Sequence, residues 1–258
     1  MTLQGKTAII TGSNRGIGRA IARALANDGA SCVLCARDEQ RLAATERELK
    51  DAGRQATSLA LDLRDVDGPS RLAEHALAAY GRIDIIVNSA GATKRGEFLE
   101  LSDEDFVDGF ALKYFAAVRL ARAAWPFLRA AGGSIVNIAG VGGRTPGAAF
   151  AVGGSVNAAL LSLTKSLAAA GRHDGIQVNA INPGAVRTER LEKRLTALAA
   201  ARNLSRESAE REFVETEQVT RIGEPEDIAH LVAFVVGPQG RFLHGALIDA
   251  DGGATKTI

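Results

Sequence analysis

The sequence predicts an α/β fold built on a doubly wound parallel sheet of about seven strands, with helices on both faces to give three layers. Short apolar runs alternate along the chain with longer segments of helical period, which is the order of repeated β-α-β units. The runs are TAIIT at 7–11, CVLCA at 32–36, TSLAL at 57–61, DIIVN at 84–88, SIVNIA at 134–139, QVNAI at 177–181 and ALIDA at 246–250. Their nearly continuous apolarity is typical of parallel strands buried on both faces.

Composition favours one globular domain with a small-molecule partner. Apolar residues make up 46% of the 258 residues and no Pro-, Gly- or Ser-rich linker divides them, so 1–258 is expected to be a single domain. The 31 basic and 30 acidic side chains create no field that would attract nucleic acid or an anionic membrane. No run approaches the roughly 18 apolar residues of a membrane span, and MTLQGKTAII lacks a signal-peptide layout, so a cytoplasmic location is expected.

The loop after the first strand has glycines spaced to accept a phosphate. TAIIT leads into Gly12-Ser13-Asn14-Arg15-Gly16-Ile17-Gly18, and a helix is predicted over 19–27. Gly12, Gly16 and Gly18 allow backbone N–H groups and the helix N-terminus to approach a pyrophosphate without an intervening Cβ. Because this loop lies in the first β-α-β unit, it predicts a dinucleotide site of the Rossmann type.

The end of the second strand indicates which dinucleotide binds. An NAD-selective protein places a carboxylate there to accept from the ribose 2′-hydroxyl, whereas this chain has Arg37. Arg37 and Arg15 together are suited to a 2′-phosphate, so NADP(H) is expected in preference to NAD(H). The alternative is two surface arginines at helix starts.

The two cysteines are expected to be buried fillers. Cys32 and Cys35 have a C-x-x-C spacing, but residues three apart on a strand point to opposite faces. A disulfide or metal site needs both sulfurs on one side. The histidines at 75, 173, 230 and 244 also lack metal-ligand spacing, so no metal is expected.

Two further strand ends carry candidate cofactor contacts. Asp62 either accepts a hydrogen bond from the adenine amino group or caps a helix beginning near Val66. Asn88-Ser89-Ala90-Gly91 either passes beside a ribose or nicotinamide or is a plain strand-to-loop turn.

Residues 187–222 are predicted to form one or two charged amphipathic helices, inserted before a helix that begins near Glu224. They are either solvated helices or a mobile lid over a site at the strand ends.

Taken together, seven motifs resemble the short-chain dehydrogenase/reductase family. They are TGSNRGIG at 11–18, DL at 62–63, NSAG at 88–91, GSIVNIAG at 133–140, VNAINPGAVRT at 178–188, RIGEPEDIA at 221–229 and DGG at 251–253. The resemblance runs from about residue 4 to 253. It implies a seven-stranded Rossmann sheet, a small-molecule substrate and a homo-oligomer, often a tetramer. It also implies cofactor contacts at Asn14, Arg15, Ile17, Asp62, Leu63, Asn88, Ala90, Gly91, Pro183, Gly184, Val186 and Thr188.

The catalytic residues of that family are missing from this chain. The family uses a Tyr-x-x-x-Lys pair, a serine at the end of the fifth strand and often an asparagine on the preceding long helix. These positions correspond here to Gly153 for tyrosine, Asn157 for lysine, Gly140 for serine and Lys113 for asparagine. No Tyr-x-x-x-Lys occurs anywhere, because Tyr80 and Tyr114 are followed four residues later by Asp84 and Val118.

Three functions are compatible with this departure. The favoured one is an oxidoreductase of unknown carbonyl or alcohol substrate, in which Lys113 replaces the tyrosine as the acid and Asn157 binds the ribose hydroxyls. Lys113 would otherwise face solvent or pair with Asp105 or Asp108. The other two are a catalytically inactive cofactor-binding sensor or regulatory subunit, and a non-redox lyase or isomerase.

Replacement of a tyrosine by Gly153, beside Gly154, also predicts a void next to the nicotinamide. The hypothesis is that this space accepts part of a bulky substrate. A side chain such as Phe150 filling it would contradict that hypothesis.

Overall fold

The computed structural model describes residues 2–256, which form a seven-stranded, fully parallel sheet in the order β3-β2-β1-β4-β5-β6-β7. The strands are β1 (Thr7–Thr11), β2 (Ser31–Ala36), β3 (Ala56–Ala60), β4 (Ile85–Asn88), β5 (Ser134–Ile138), β6 (Gln177–Pro183) and β7 (Leu247–Ala250). The predicted fold class and all seven predicted strands are confirmed, and the largest difference is at β6, which continues to Pro183.

Helices cover both faces of the sheet. They are α1 (Gly16–Asn27), α2 (Glu39–Asp51), α3 (Gly68–Tyr80), α4 (Asp103–Gly109), α5 (Ala116–Ala131), α6 (Ala151–Asp174), α7 (Glu189–Arg202), α8 (Arg206–Thr216) and α9 (Pro225–Val236). A π-helical segment, Phe110–Phe115, joins α4 to α5. The largest apolar cluster lies between the sheet and α1, α2 and α9, a second lies mainly against α3 and α5, and a smaller one lies between the sheet and α6. None of the helices within residues 2–256 is long and apolar enough to cross a membrane.

The cysteines follow the alternation of β2. Cys32 packs in the core beneath α1, whereas Cys35 packs in the core beneath α3 and α5, and both are fully buried. Burial raises the pKa of each thiol to about 12, so both stay protonated at neutral pH. The prediction that they are buried fillers on opposite faces is confirmed.

The order of the strands places a crevice between β1 and β4. The chain moves outward from β1 through β2 to β3, and then returns to the other side of β1 with β4. The chain after β1 and the chain after β4 therefore lead to helices on opposite faces of the sheet, and open α/β sheets bind ligands at the carboxyl edge where this happens.

Residues 187–222 contain the two helices α7 and α8, which pack on each other through Leu191, Leu195 and Phe213. Arg187 binds Glu210 of α8 and Glu224, the residue that caps α9. These ion pairs connect the inserted helices to the main domain. Whether the insertion acts as a lid stays a prediction.

Gly18→Ala tests the close packing within the glycine turn. An alanine Cβ at this position would lie 2.2 Å from the carbonyl oxygen of Gly12, so the turn or α1 must shift. We expect the free energy of unfolding to fall by about 1–3 kcal/mol, the usual cost of overpacking a filled interior. Urea denaturation followed by circular dichroism measures this change.

Gly147→Ala is the matched control. Nothing lies within 4 Å of its added Cβ and its φ is −84°, so alanine fits without strain. Its free energy of unfolding should stay the same or rise slightly, because alanine has fewer unfolded conformations than glycine. Equal losses in both variants would contradict the packing argument.

Candidate active site

The glycine turn forms one wall of the crevice by close contact with the loop after β4. Gly12 has a φ of +69°, and a Cβ on it would lie 2.9 Å from Cα of Ala90. Gly16 has a φ of +51°, and a Cβ on it would lie 3.3 Å from Cγ2 of Thr188. The turn therefore lies against both the NSAG loop and the chain that follows β6.

The N-terminus of α1 fits the pyrophosphate of a dinucleotide. Arg15 is its N-cap residue and forms no capping bond, and among the described residues no acidic side chain lies in the first turn. The first N–H groups of the helix consequently keep their capacity to donate to an anion. Asn14 and Ile17 are half-buried beside these groups.

An opening of about 640 Å³ lies next to this helix start, with Gly16, Arg41 and Thr188 among its lining residues. Its volume is within the range of small-molecule sites.

Three arginines lie near the starts of α1 and α2. Arg15 and Arg41 each donate to Glu189 at 2.8 Å, and Arg37 lies 3.4 Å from Asp62. Arg41 was missed by sequence reasoning, although its place in the first turn of α2, one helical turn beyond Arg37, was a usable signal.

Asp62 does not cap a helix. Helix α3 begins at Gly68 with Asp67 as its N-cap residue, so the capping alternative for Asp62 is wrong. Asp62 instead accepts from the backbone N–H of Arg64 at 3.0 Å and from its guanidinium. These bonds, together with the charges of Arg64 and Arg37, outweigh burial and hold the pKa of Asp62 below its usual range, so it is an acceptor at neutral pH.

Asn88 is buried, and its side chain joins two strands. Its amide donates to Asn137 at 2.8 Å, and Asn137 donates to Thr164 at 2.9 Å. Thr11 accepts from the backbone N–H groups of Ser89 and Ala90, both at 3.0 Å, and this fixes the loop that ends in Gly91. Leu63 is likewise buried, with 3% exposure.

The chain after β6 forms the opposite rim. Pro183 is the last residue of the strand, and a Cβ on Gly184 would lie 2.7 Å from Cα of Asp251. Val186 is buried and pairs with Gly223 as a parallel bridge. This backbone carries Thr188 to Gly16, so residues far apart in sequence meet around one cleft.

Lys113 extends into the cleft from the π-helical segment. Its Nζ donates to the carbonyl oxygen of Ala139 and to Oδ1 of Asn157, both at 2.6 Å. The alternative pairings do not occur, because Asp105 binds Lys94 and Asp108 binds Arg64. π-helical turns often occur at functional sites, and here the turn belongs to the segment that carries Lys113.

The protein environment makes this lysine a weak base. Desolvation, reinforced by the positive charge of Arg190, lowers the pKa of Lys113 from 10.5 to about 7. Both protonation states are therefore accessible near neutral pH. An ammonium has three N–H donors, and two of them are used by Ala139 and Asn157.

Asn157 and Lys113 stand in exchanged positions relative to the family pattern. The family has lysine on the helix after β5 and asparagine on the helix before it, whereas this chain has Asn157 on α6 and Lys113 before α5. The cleft therefore contains one ammonium and one amide, as in the family pattern, and here a hydrogen bond joins them directly. Nδ2 of Asn157 lies 3.0 Å from where a Cβ on Gly140, the serine position, would be.

Phe150 fills the position that the tyrosine has vacated. A Cβ on Gly153 would lie 2.1 Å from the Phe150 ring, and one on Gly142 would lie 2.7 Å from it. The hypothesis of a void for a bulky substrate is therefore wrong, because a neighbouring aromatic ring has taken the volume. The guanidinium of Arg95 stacks 4.1 Å above the centre of this ring.

The sequence matches those of known proteins over nearly the whole chain. A family model described as enoyl-(acyl carrier protein) reductase matches residues 12–255. An uncharacterized oxidoreductase of Mycobacterium tuberculosis is 36% identical over 98% of this chain and 93% of its own length. A tropinone reductase homolog of Arabidopsis thaliana is 32% identical over 98% of this chain and 94% of its own.

Solved structures of similar proteins have the same fold. L-Sorbose reductase from Gluconobacter frateurii, crystallised with NADPH and L-sorbose, superposes with a TM-score of 0.95 at 32% identity, covering 100% of both chains. A short-chain dehydrogenase from Burkholderia cenocepacia in complex with NADP has a TM-score of 0.85 at 30% identity, covering 98% of this chain and 99% of its own. The protein therefore belongs to the short-chain dehydrogenase/reductase family of oxidoreductases.

Proposed function

We propose that the protein is an NADP(H)-dependent oxidoreductase that interconverts a carbonyl compound and an alcohol, with Lys113 as the proton donor and acceptor. The observation that carries this proposal is the Lys113 ammonium, which has a pKa of about 7 and lies between Ala139 and Asn157 at the carboxyl edge of the sheet. A general acid works best when its pKa is close to the operating pH.

The residues of the crevice fit a nicotinamide dinucleotide. When bound, this cofactor supplies or accepts the hydride at the substrate carbon. The glycine turn and the N-terminus of α1 would hold its pyrophosphate, and Pro183, Gly184, Val186 and Thr188 would form the wall beside its nicotinamide. Arg15, Arg37 and Arg41 favour a 2′-phosphate, and the neighbours crystallised with NADPH and NADP support that preference.

Lys113 would donate its third proton to the oxygen of the substrate carbonyl. The bonds to Ala139 and Asn157 restrict Nζ to one position, so the remaining N–H has a defined direction. Loss of that proton gives a neutral amine, which the surroundings favour because they are desolvated and because Arg190 repels a second positive charge. Asn157 would also hydrogen-bond the ribose hydroxyls.

Helices α7 and α8 would act as the lid that excludes water from the cleft. Two adjacent residues at the start of α7 support this role. Glu189 binds Arg15 of the glycine turn, and Arg190 donates to the carbonyl oxygen of Gly91 in the loop after β4 at 3.1 Å. Movement of this helix start would open both contacts together.

Arg37→Ala tests the preference for NADP(H). Removal of a charge-assisted contact to the 2′-phosphate should weaken NADPH binding by roughly tenfold to a hundredfold, while NADH binding stays the same. Isothermal titration calorimetry of both nucleotides measures the change. Arg54→Ala is the control, because Arg54 precedes β3 and so lies at the amino ends of the strands, away from the crevice at their carboxyl ends. Equal loss for NADPH and NADH would contradict a 2′-phosphate contact.

The acid role of Lys113 predicts the pH dependence of carbonyl reduction. The rate should be highest below pH 7 and should fall as pH rises through about 7, because the reaction needs the ammonium form. The oxidation of the alcohol should show the reverse dependence. Initial rates of NADPH consumption between pH 5 and pH 9, on a panel of ketones and aldehydes, measure the profile.

Lys113→Met keeps an unbranched side chain as far as Cε and removes the titrating amine. We expect kcat to fall by about 10²–10⁴-fold with the pH dependence lost and with NADPH affinity retained. Lys50→Met on α2 is the control. Full activity in Lys113→Met would exclude the proposed acid, whereas NADPH binding with no carbonyl reduced by the unaltered protein would favour the sensor alternative.

We also propose that the protein forms a homo-oligomer, a dimer or a tetramer. Large aromatic side chains are exposed on its surface, among them Phe234 on α9 and Phe242 after it, at 49% and 101%. Exposed apolar surface of this kind marks interaction sites. Size-exclusion chromatography with light scattering should detect the oligomer, and the Phe234→Lys/Phe242→Lys variant should be smaller, whereas Val66→Lys on a loop should not. A monomeric unaltered protein would contradict the proposal.

A further inference from the structure

The substrate end of the cleft contains positive charges that lack acidic partners. Among the described residues, no carboxylate forms an ion pair with Lys113, Arg190 or Arg95. Neighbouring arginines are paired, as in Arg194 with Glu217 at 3.2 Å and Arg144 with Asp249 at 2.8 Å. Lys113, Arg190 and Arg95 therefore differ from these paired neighbours in having no carboxylate within ion-pair distance.

Gly91 lies between two of these cations, and the third is on the same loop. Arg190 donates to the carbonyl oxygen of Gly91, and a Cβ on Gly91 would lie 3.1 Å from Cδ of Lys113. Gly91 is thus in contact with both side chains. Arg95 follows on the same loop and lies over the ring of Phe150, which occupies the family's tyrosine position.

We propose that the substrate carries an oxyanion, a carboxylate or a phosphate, which binds between Arg95 and Arg190 while its carbonyl group faces Lys113. This inference rests on the proposed function, because it takes the Lys113 cleft to be the active site. It names the class of substrate: an anionic carbonyl compound and its hydroxy product.

The electrostatics of the cleft support this assignment. Burial, together with the charges of Arg194 and Arg190, lowers the pKa of Arg95 and outweighs the opposing effect of Glu217, which is itself paired with Arg194. Burial and the charge of Arg15 lower the pKa of Arg190. These like charges repel one another, and a bound anion would relieve that repulsion while making charge-assisted bonds to two guanidinium groups.

The geometry favours the substrate over the cofactor as the source of this anion. The cofactor phosphates already have a separate set of donors in the N-terminus of α1, Arg15 and Arg37. Arg95, by contrast, lies on the aromatic ring that occupies the place of the family's proton donor. Its guanidinium would therefore lie on the substrate side of the cleft.

The first test is calorimetric titration with malonate and with inorganic phosphate, on the protein with and without saturating NADPH. We expect both ions to bind the unaltered protein, and Arg95→Gln and Arg190→Gln each to weaken the binding by about tenfold or more. Arg172→Gln, at the exposed end of α6, is the matched control.

The second test uses pairs of carbonyl probes that differ in charge. Acetoacetate is compared with methyl acetoacetate, and dihydroxyacetone phosphate with dihydroxyacetone, under NADPH. The anionic member of at least one pair should have a kcat/KM about tenfold higher or more, and Arg95→Gln should abolish the difference. The pair that responds distinguishes a carboxylate from a phosphate.

Three results would overturn the inference: no anion binding by the unaltered protein, equal binding by the arginine variants, or weakened NADPH binding in those variants with anion binding retained. If the protein binds no NADPH but still binds malonate through Arg95 and Arg190, the proposed redox function fails and the anion site stands. If NADPH binds and the anions do not, the anion site fails alone.

Discussion

A lysine amine held between two oxygen acceptors is the interaction on which the candidate active site depends. Lys113 reaches Ala139 and Asn157 from a π-helical segment, at the edge of the sheet where β4 and β5 end. In water this amine would be almost fully protonated, but desolvation and the charge of Arg190 bring its pKa to about 7. The group that can exchange a proton near neutral pH is thereby placed in the crevice that a Rossmann sheet uses for its ligands.

The side chains lost from the family pattern have not left holes. The ring of Phe150 fills the space beside Gly153, and the amide of Asn157 lies against Gly140. Protein interiors maintain a nearly constant packing density, so removal of a large side chain favours a neighbour that moves into its place. Here the replacement changes the chemistry as well as the volume, because an apolar ring stands where the base of the tyrosine side chain would be and no hydroxyl is supplied. The polar groups that remain near this ring are Lys113, Asn157 and Arg95, and Arg95 stacks on the ring itself.

The glycine turn is rigid, whereas the ion pairs beside it can exchange one partner for another. The glycine turn is fixed by backbone contacts with Ala90 and by the close approach of Gly18 to Gly12, neither of which tolerates an added Cβ. The ion pairs of Arg15 and Arg41 with Glu189 are half-exposed, and pairs of this kind contribute only about 0–1 kcal/mol. Their arginines are consequently available to a phosphate at little cost.

The sequence by itself determined the seven parallel strands, the glycine turn and the absence of the family's tyrosine, because period, spacing and residue type are local properties of the chain. It also singled out Lys113 and Asn157 by position. Only the tertiary structure decided that these two side chains bond to each other, that Phe150 fills the tyrosine position and that Asp62 binds Arg64 instead of capping a helix. Each of these outcomes depends on distances between residues that are separated in sequence or on where a helix begins. Desolvation, which sets the pKa of Lys113, likewise arises only when the surrounding elements have packed around it.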